Sequence, residues 1–184
     1  MKRRRRMRRT TADPRSWKTP GRLPSEKANS APFDCASVAQ EIRRAIACKE
    51  PFSHSAMPWT SWAILANIEL ADGQPAATAA ARQKAIELFL AYRRDGGENH
   101  GGGGRLCAAV TEAMLAGNVQ EAADMLAELR SQPKLPTRLP PLLNVLEAIL
   151  NGRRDPSLAQ HPDLNYRYAA EILLLLEALS RAGR

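Results

Sequence analysis

The chain has 184 residues, enough for one domain with a buried core, and a formal net charge of +8. No stretch of eighteen apolar residues occurs, so we predict no transmembrane helix, and no signal-peptide core follows the basic start. Cys35, Cys48 and Cys107 form no C-x-x-C pair, which predicts free, mostly buried thiols in a reducing cytoplasm.

The positive charge is concentrated in residues 1–33. This segment has eleven Lys or Arg residues and two acidic residues, net +9, whereas the remainder of the chain is net −1. It also has four prolines and few aliphatic side chains, which is too little apolar surface to offset chain entropy. We therefore predict a disordered basic tail over 1–33 and a helical domain over 34–184.

The arginine-rich start of the tail is a candidate polyanion-binding segment. Basic side chains bind phosphates with release of counterions, and Trp17 adds a ring that can stack on a base. The same charges also fit an anionic membrane surface, a nuclear-import signal, or a solvated tail without a specific partner. The candidate polyanion-binding residues are Lys2, Arg3, Arg4, Arg5, Arg6, Arg8 and Arg9.

Helical spacing of apolar residues begins directly after the tail. It predicts a first helix over about 35–48, followed by a hairpin with helices over about 59–71 and 75–94. Gly73 separates the two helices of the hairpin, because glycine readily adopts the positive φ of a helix end. The expected packing residues of the hairpin are Trp59, Trp62, Ala63, Leu65, Ala66, Ile68, Leu70, Ala79, Ala85, Ile86, Leu88, Phe89 and Tyr92.

Residues 95–104 form a glycine-rich insert that contains six glycines. We interpret it as a flexible, solvated connection between hairpins. One alternative is an anion site made by backbone amides and Arg105, although the Gly-Lys-Ser/Thr ending of a phosphate-binding loop is missing. Another is a metal site made by Asp95, Glu98 and His100, which mobile glycines would position poorly.

A second hairpin and two further helices complete the pattern. The second hairpin turns at Gly117, and Asn118 with Glu121 predicts a capping box at the start of its second helix. The last helix contains the apolar run from Ile172 to Leu176. This run is too broad for one apolar stripe, so we expect burial on more than one side, within the chain or against a second copy.

The turns recur at a related spacing. They centre on Gly73, Gly117 and Gly152, and the ten-residue insert accounts for the longer first interval. A fixed period of about 20–50 residues is typical of stacked helical repeats, in which each hairpin buries its apolar face against the next. We therefore predict an all-α fold, a short right-handed stack of antiparallel helix hairpins with the basic tail outside it. The expected repeat-core residues are Trp62, Leu65, Ala66, Gly73, Ala85, Leu106, Gly117 and Ala122.

The first hairpin resembles the tetratricopeptide-repeat family. Trp62, Leu65 and Ala66 stand at the Trp, Leu and small-residue positions of that family's first helix, and Gly73 stands at its turn. The second hairpin has a weaker, parallel set, namely Leu106, Ala109, Val110, Gly117 and Ala122.

The resemblance covers about 59–160 and has clear departures. Glu69 replaces a tyrosine of the first helix, and Thr78 and Arg82 replace a small and an aromatic residue of the second. The resemblance implies an α-solenoid that binds a protein or peptide partner.

No catalytic constellation emerges from the sequence. His54 and His161 lie beside prolines, and Cys107 has alanine neighbours rather than a local base. We therefore expect no enzyme, no cofactor and no metal site. The leading hypothesis is a cytoplasmic protein-interaction module or scaffold, and the alternative is a nucleic-acid-binding adaptor that uses the basic tail. A third, enzymatic interpretation rests only on the glycine-rich insert.

Overall fold

The computed structural model describes residues 34–49 and 57–183. This part of the chain is helical and contains no strand, which confirms the all-α prediction for it. The helices are α1 Cys35–Lys49, α2 Pro58–Ala71, α3 Pro75–Arg94, α4 Gly102–Leu115, α5 Val119–Ser131, α6 Leu139–Leu150 and α7 Tyr166–Ala182, with a 3₁₀ turn at Pro156–Gln160 before α7.

Some of the sequence predictions concern residues outside this part. The basic tail with its polyanion-binding candidates, and also His54, lie outside the described residues. Among the described helices, none combines the length and the apolar character that a bilayer crossing requires.

The turn glycines adopt the conformation that the repeat pattern requires. Gly73, Gly117 and Gly152 have φ values of 70°, 81° and 94°, a region that side chains with a Cβ enter at a cost. Each follows the end of a helix, at α2, α4 and α6 respectively. Gly96, with φ 88°, ends α3 in the same way, so the glycine-rich insert begins with a fourth turn of this kind.

The apolar side chains form two clusters. The larger is built mainly from α3, α4, α6 and α7, and its most buried members include Val110, Leu142, Leu146, Ile172 and Leu175. The smaller joins α1, α2 and the first half of α3 through Ala39, Ile46, Leu65, Ala66 and Ala81.

Helix α7 packs against both α3 and α4, so it joins the two hairpins. Residues later in α3 contact residues later in the α7 region: Arg82 donates to Leu164, and Arg93 donates to Glu171. The two helices therefore run in the same direction. In a stack that follows chain order, α3 would instead have α4 as its antiparallel neighbour.

Most of the expected repeat core is buried. Leu65, Ala66, Ala85, Leu106 and Ala122 are all buried, whereas Trp62 is only half-buried. Trp59 is the more deeply placed tryptophan of α2, and its ring packs edge-on against Phe89 at a centroid distance of 5.3 Å. The expectations for Leu70 and Ala79 were wrong: Leu70 is 65% exposed in the last turn of α2, and Ala79 is exposed on α3.

Two further local expectations were wrong. Of the three thiols only Cys107 is buried, whereas Cys35 is half-buried and Cys48 is exposed near the end of α1. The capping box at α5 does not form, because the Asn118 side chain accepts no bond from the helix backbone and its Nδ2 instead donates to Glu121 Oε2 at 3.2 Å.

Two of the residues that depart from the repeat pattern, Arg82 and Glu69, form contacts between helices. The Arg82 guanidinium donates to the carbonyl oxygens of Leu164 at 2.9 Å and His161 at 3.1 Å, which ties the start of α7 to α3. Burial lowers the pKa of Arg82. Glu69 is buried in α2 and forms an ion pair with Arg43 of α1.

Candidate functional site: the groove between α4 and α7

The second half of the glycine-rich insert is helix rather than solvated loop. Gly102 begins α4, and Gly103 and Gly104 are buried. A Cβ on Gly103 would lie 2.1 Å from Cε1 of Tyr168, and one on Gly104 would lie 2.5 Å from the side chain of Asn99. These two glycines therefore permit close packing, and the interpretation of the whole insert as flexible was wrong for them.

A buried carboxylate joins the insert to α3 and α7. Glu171 is 4% exposed, and its Oε1 accepts hydrogen bonds from Arg93 Nε at 2.8 Å and Asn99 Nδ2 at 2.9 Å. Arg93 also donates to the carbonyl oxygen of Gly97. Because a buried charge is costly unless it is paired, this set of bonds fixes the path of the chain between α3 and α4.

Beside this ion pair lies a groove between α4 and α7 with a volume of about 260 Å³. On α4 it is lined by Ala108, Thr111 and Glu112, which share one helix face. On α7 the lining residues are spaced i, i+3, i+4 and i+7, so they too share one face: Glu171, Leu174, Leu175 and Ala178. Arg93 and Cys107 complete the lining.

Both helices of the groove run in the same direction. Gly103 meets Tyr168 at the amino end of the pair, and the groove is lined by residues that follow these two positions in both helices. Leu115 continues the groove face of α4, one turn beyond Thr111 and Glu112, and is 49% exposed. The groove therefore leads toward an exposed apolar side chain at its carboxyl end.

The groove offers no activated nucleophile. Burial is the main cause that raises the pKa of the Cys107 thiol, and the nearby Glu171 carboxylate raises it further. The thiol therefore stays protonated at neutral pH. The Thr111 hydroxyl donates to the carbonyl oxygen of Cys107 at 2.7 Å, as a helical threonine commonly does.

The other candidate residues from the sequence are not brought together. Nε2 of His100 lies 3.1 Å from Oε2 of Glu98, but both side chains are exposed. In the described part of the chain, no three His, Cys, Asp or Glu side chains are placed to hold a metal ion, and Asp95 adds no third ligand there. His161 is exposed in the turn before α7.

The anion-site alternative gains no support from the geometry. The amide of Gly101, just before α4, donates to Asn99 Oδ1 at 3.2 Å, and the Asn99 side chain packs against Gly104. The insert's own Asn99 side chain therefore lies against the first turn of α4.

The residues that build the groove were not recognised from the sequence. A signal was present in Glu171, a lone carboxylate directly before the apolar run of α7, since such a residue needs a partner once it is buried. Its partners Arg93 and Asn99 lie more than seventy positions earlier. Nothing in a single sequence links residues at that separation.

Models of known protein families give no match to this chain, and neither curated proteins nor solved structures show a significant similarity.

Proposed function

We propose that this protein is a protein-interaction module without intrinsic catalysis, in which the α4–α7 groove receives a helical segment of a partner. The groove carries the proposal, because it lies between two helix faces that contribute both apolar and polar side chains, and an exposed leucine lies at one end of it. Amphipathic helices commonly bind in such grooves through anchors at i, i+3, i+4 and i+7.

The size and chemistry of the groove favour a side-chain anchor over a small-molecule substrate. Its volume of about 260 Å³ is below the roughly 300–1,000 Å³ typical of small-molecule sites. The thiol beside it is held protonated by burial. We also propose that the hairpins α2–α3 and α4–α5 form a tetratricopeptide-like arrangement in which both hairpins share α7. We propose the cytoplasm as the location of the protein.

A peptide selection tests this proposal directly. The full chain would be presented to a phage library of random 16-residue peptides, and binding of the selected peptides would be measured by fluorescence anisotropy. Ala108→Trp places a large ring on an exposed groove position and should weaken binding at least tenfold. Ala127→Trp makes the same change at an exposed position on α5, away from the groove lining, and should leave binding unchanged.

Circular dichroism would establish that both variants keep their helix content. Selected peptides that bind the Ala108→Trp protein as well as the unmodified chain would show that the groove is not the binding site. A library that yields no binding peptide would also contradict the proposal. Light scattering of the full chain would reveal the competing case, a homodimer through α7.

A further inference from the structure

We infer that the partner helix is cationic at the end that lies over Glu112. This inference rests on the proposed function and specifies the chemistry of its partner. It follows from the direction of the two groove helices and from the distribution of charge around them.

The carboxyl ends of α4 and α7 lie at the same end of the groove, because the two helices run in the same direction. The aligned peptide dipoles of a helix give its carboxyl end a partial negative charge of up to about half an elementary charge. Glu112 is exposed on the groove face one turn before the end of α4, so its carboxylate adds a full negative charge at that end. On the α4 wall, the end of the helix and the carboxylate of Glu112 therefore both contribute negative charge.

The chain that follows adds to this negative charge. Residues 106–129, which include most of α4 and α5, contain no Lys, Arg or His. The acidic residues of this segment are all exposed: Glu112, Glu121, Asp124 and Glu128. Glu121 lies in the first turn of α5, where it offsets the positive end of that helix.

Among the described cations near the groove, none forms an ion pair with Glu112. Arg93 is paired with Glu171 in the groove wall. Glu177 of α7 contacts both Arg94 of α3 and Arg181, and Arg181 lies in the last turn of α7, where it offsets the negative end of that helix. Arg105 is exposed two turns before Glu112, toward the other end of α4. The groove thus has apolar side chains in its middle and a carboxylate without an ion pair among the described residues, Glu112, on its α4 wall toward the carboxyl end.

A segment that fits both properties is an amphipathic helix with Lys or Arg at one end. Its apolar anchors would pack against Leu174 and Ala178, and its basic end would meet Glu112. The basic residue contributes mainly to specificity and to the rate of association, as charges at the rim of an interface usually do.

The composition of the selected peptides and two charge variants test this inference. Peptides selected on the full chain should carry an excess of Lys or Arg at one end of an apolar helical pattern. Glu112→Lys should weaken their binding about tenfold, and Glu112→Gln roughly three- to fivefold, as expected for a partly exposed ion pair. Glu128→Lys makes the same charge change at an exposed position outside the groove lining and should alter affinity less than twofold.

The failure of this inference is distinguishable from the failure of the proposed function. Groove-binding peptides that lose affinity with Ala108→Trp but lack basic residues, or do not respond to Glu112→Lys, would overturn the inference and leave the function standing. Equal losses with Glu112→Lys and Glu128→Lys would also overturn it, because they would indicate a diffuse field rather than a contact at the groove. Binding unaffected by Ala108→Trp would overturn the function itself.

Discussion

At the scale of single residues, glycines serve two different physical purposes in this chain. Gly73, Gly117 and Gly152 are needed for positive φ at helix ends, and no neighbouring atom lies where their Cβ would be. Gly103 lacks this backbone requirement, but the ring of Tyr168 occupies the space of its missing side chain. The spacing of the turn glycines in the sequence predicts the first role, whereas the second role depends on Tyr168, which lies 65 positions away from Gly103.

Replacement of Gly103 by alanine should destabilise the fold by about 1–3 kcal/mol, because either the ring of Tyr168 or α4 must move to admit the methyl group. Gly102→Ala is the matched control, since a Cβ at that position meets no atom within 4 Å. It should change stability by less than about 1 kcal/mol, in the stabilising direction. Urea denaturation of both variants measures the difference, and equal stabilities would show that Tyr168 is not held against α4.

At the scale of elements, α7 is the helix on which the arrangement depends. Its apolar run is buried on more than one side, as expected from the breadth of that run, with Ile172, Leu175 and Leu176 all in the core. Its polar residues are no less important, because Glu171 and Glu177 reach Arg93 and Arg94 of α3. These two ion pairs connect the same helices but differ in burial, so they allow a controlled comparison.

Arg93→Met should lower the free energy of unfolding by about 3–5 kcal/mol, because it leaves the carboxylate of Glu171 buried without its cation. Arg94→Met removes the exposed pair with Glu177 and should cost less than about 1 kcal/mol. Thermal or urea unfolding of the two proteins measures both values. Similar small losses in both would mean that Glu171 is reached by water and is not buried in solution.

At the scale of the whole molecule, the helices could be predicted from the periodic features of the sequence, but the packing of α7 against the earlier helices could not. The bounds of α1, α2 and α3 agree with the apolar spacing to within one or two residues, since helical period and turn glycines are local signals. The placement of α7 between α3 and α4 depends on Arg82, Glu171 and Gly103, which act only through distant partners. The groove exists only because α7 lies beside α4, so it could not be predicted from the sequence either.

The charge separation between residues 1–33 and the remainder predicts two independent binding activities. Deletion of residues 1–33 should abolish affinity for a polyanion such as single-stranded DNA, because the remaining chain is net −1. Peptide binding should survive the deletion. Electrophoretic mobility shifts at increasing salt, with the full and shortened chains, measure the first effect. Retention of DNA binding by the shortened chain would assign that binding to the helical domain.

The position of α7 between two earlier helices also has a consequence for synthesis on the ribosome. Chain growth reaches the end of α4 at Leu115 and makes fifty further residues before α7 begins at Tyr166. At about 5–20 residues per second, this interval lasts roughly 3–10 s. During that time the surfaces of α3 and α4 that later face α7 have no cover from that helix, so they stay available for contact with a chaperone or with other nascent chains.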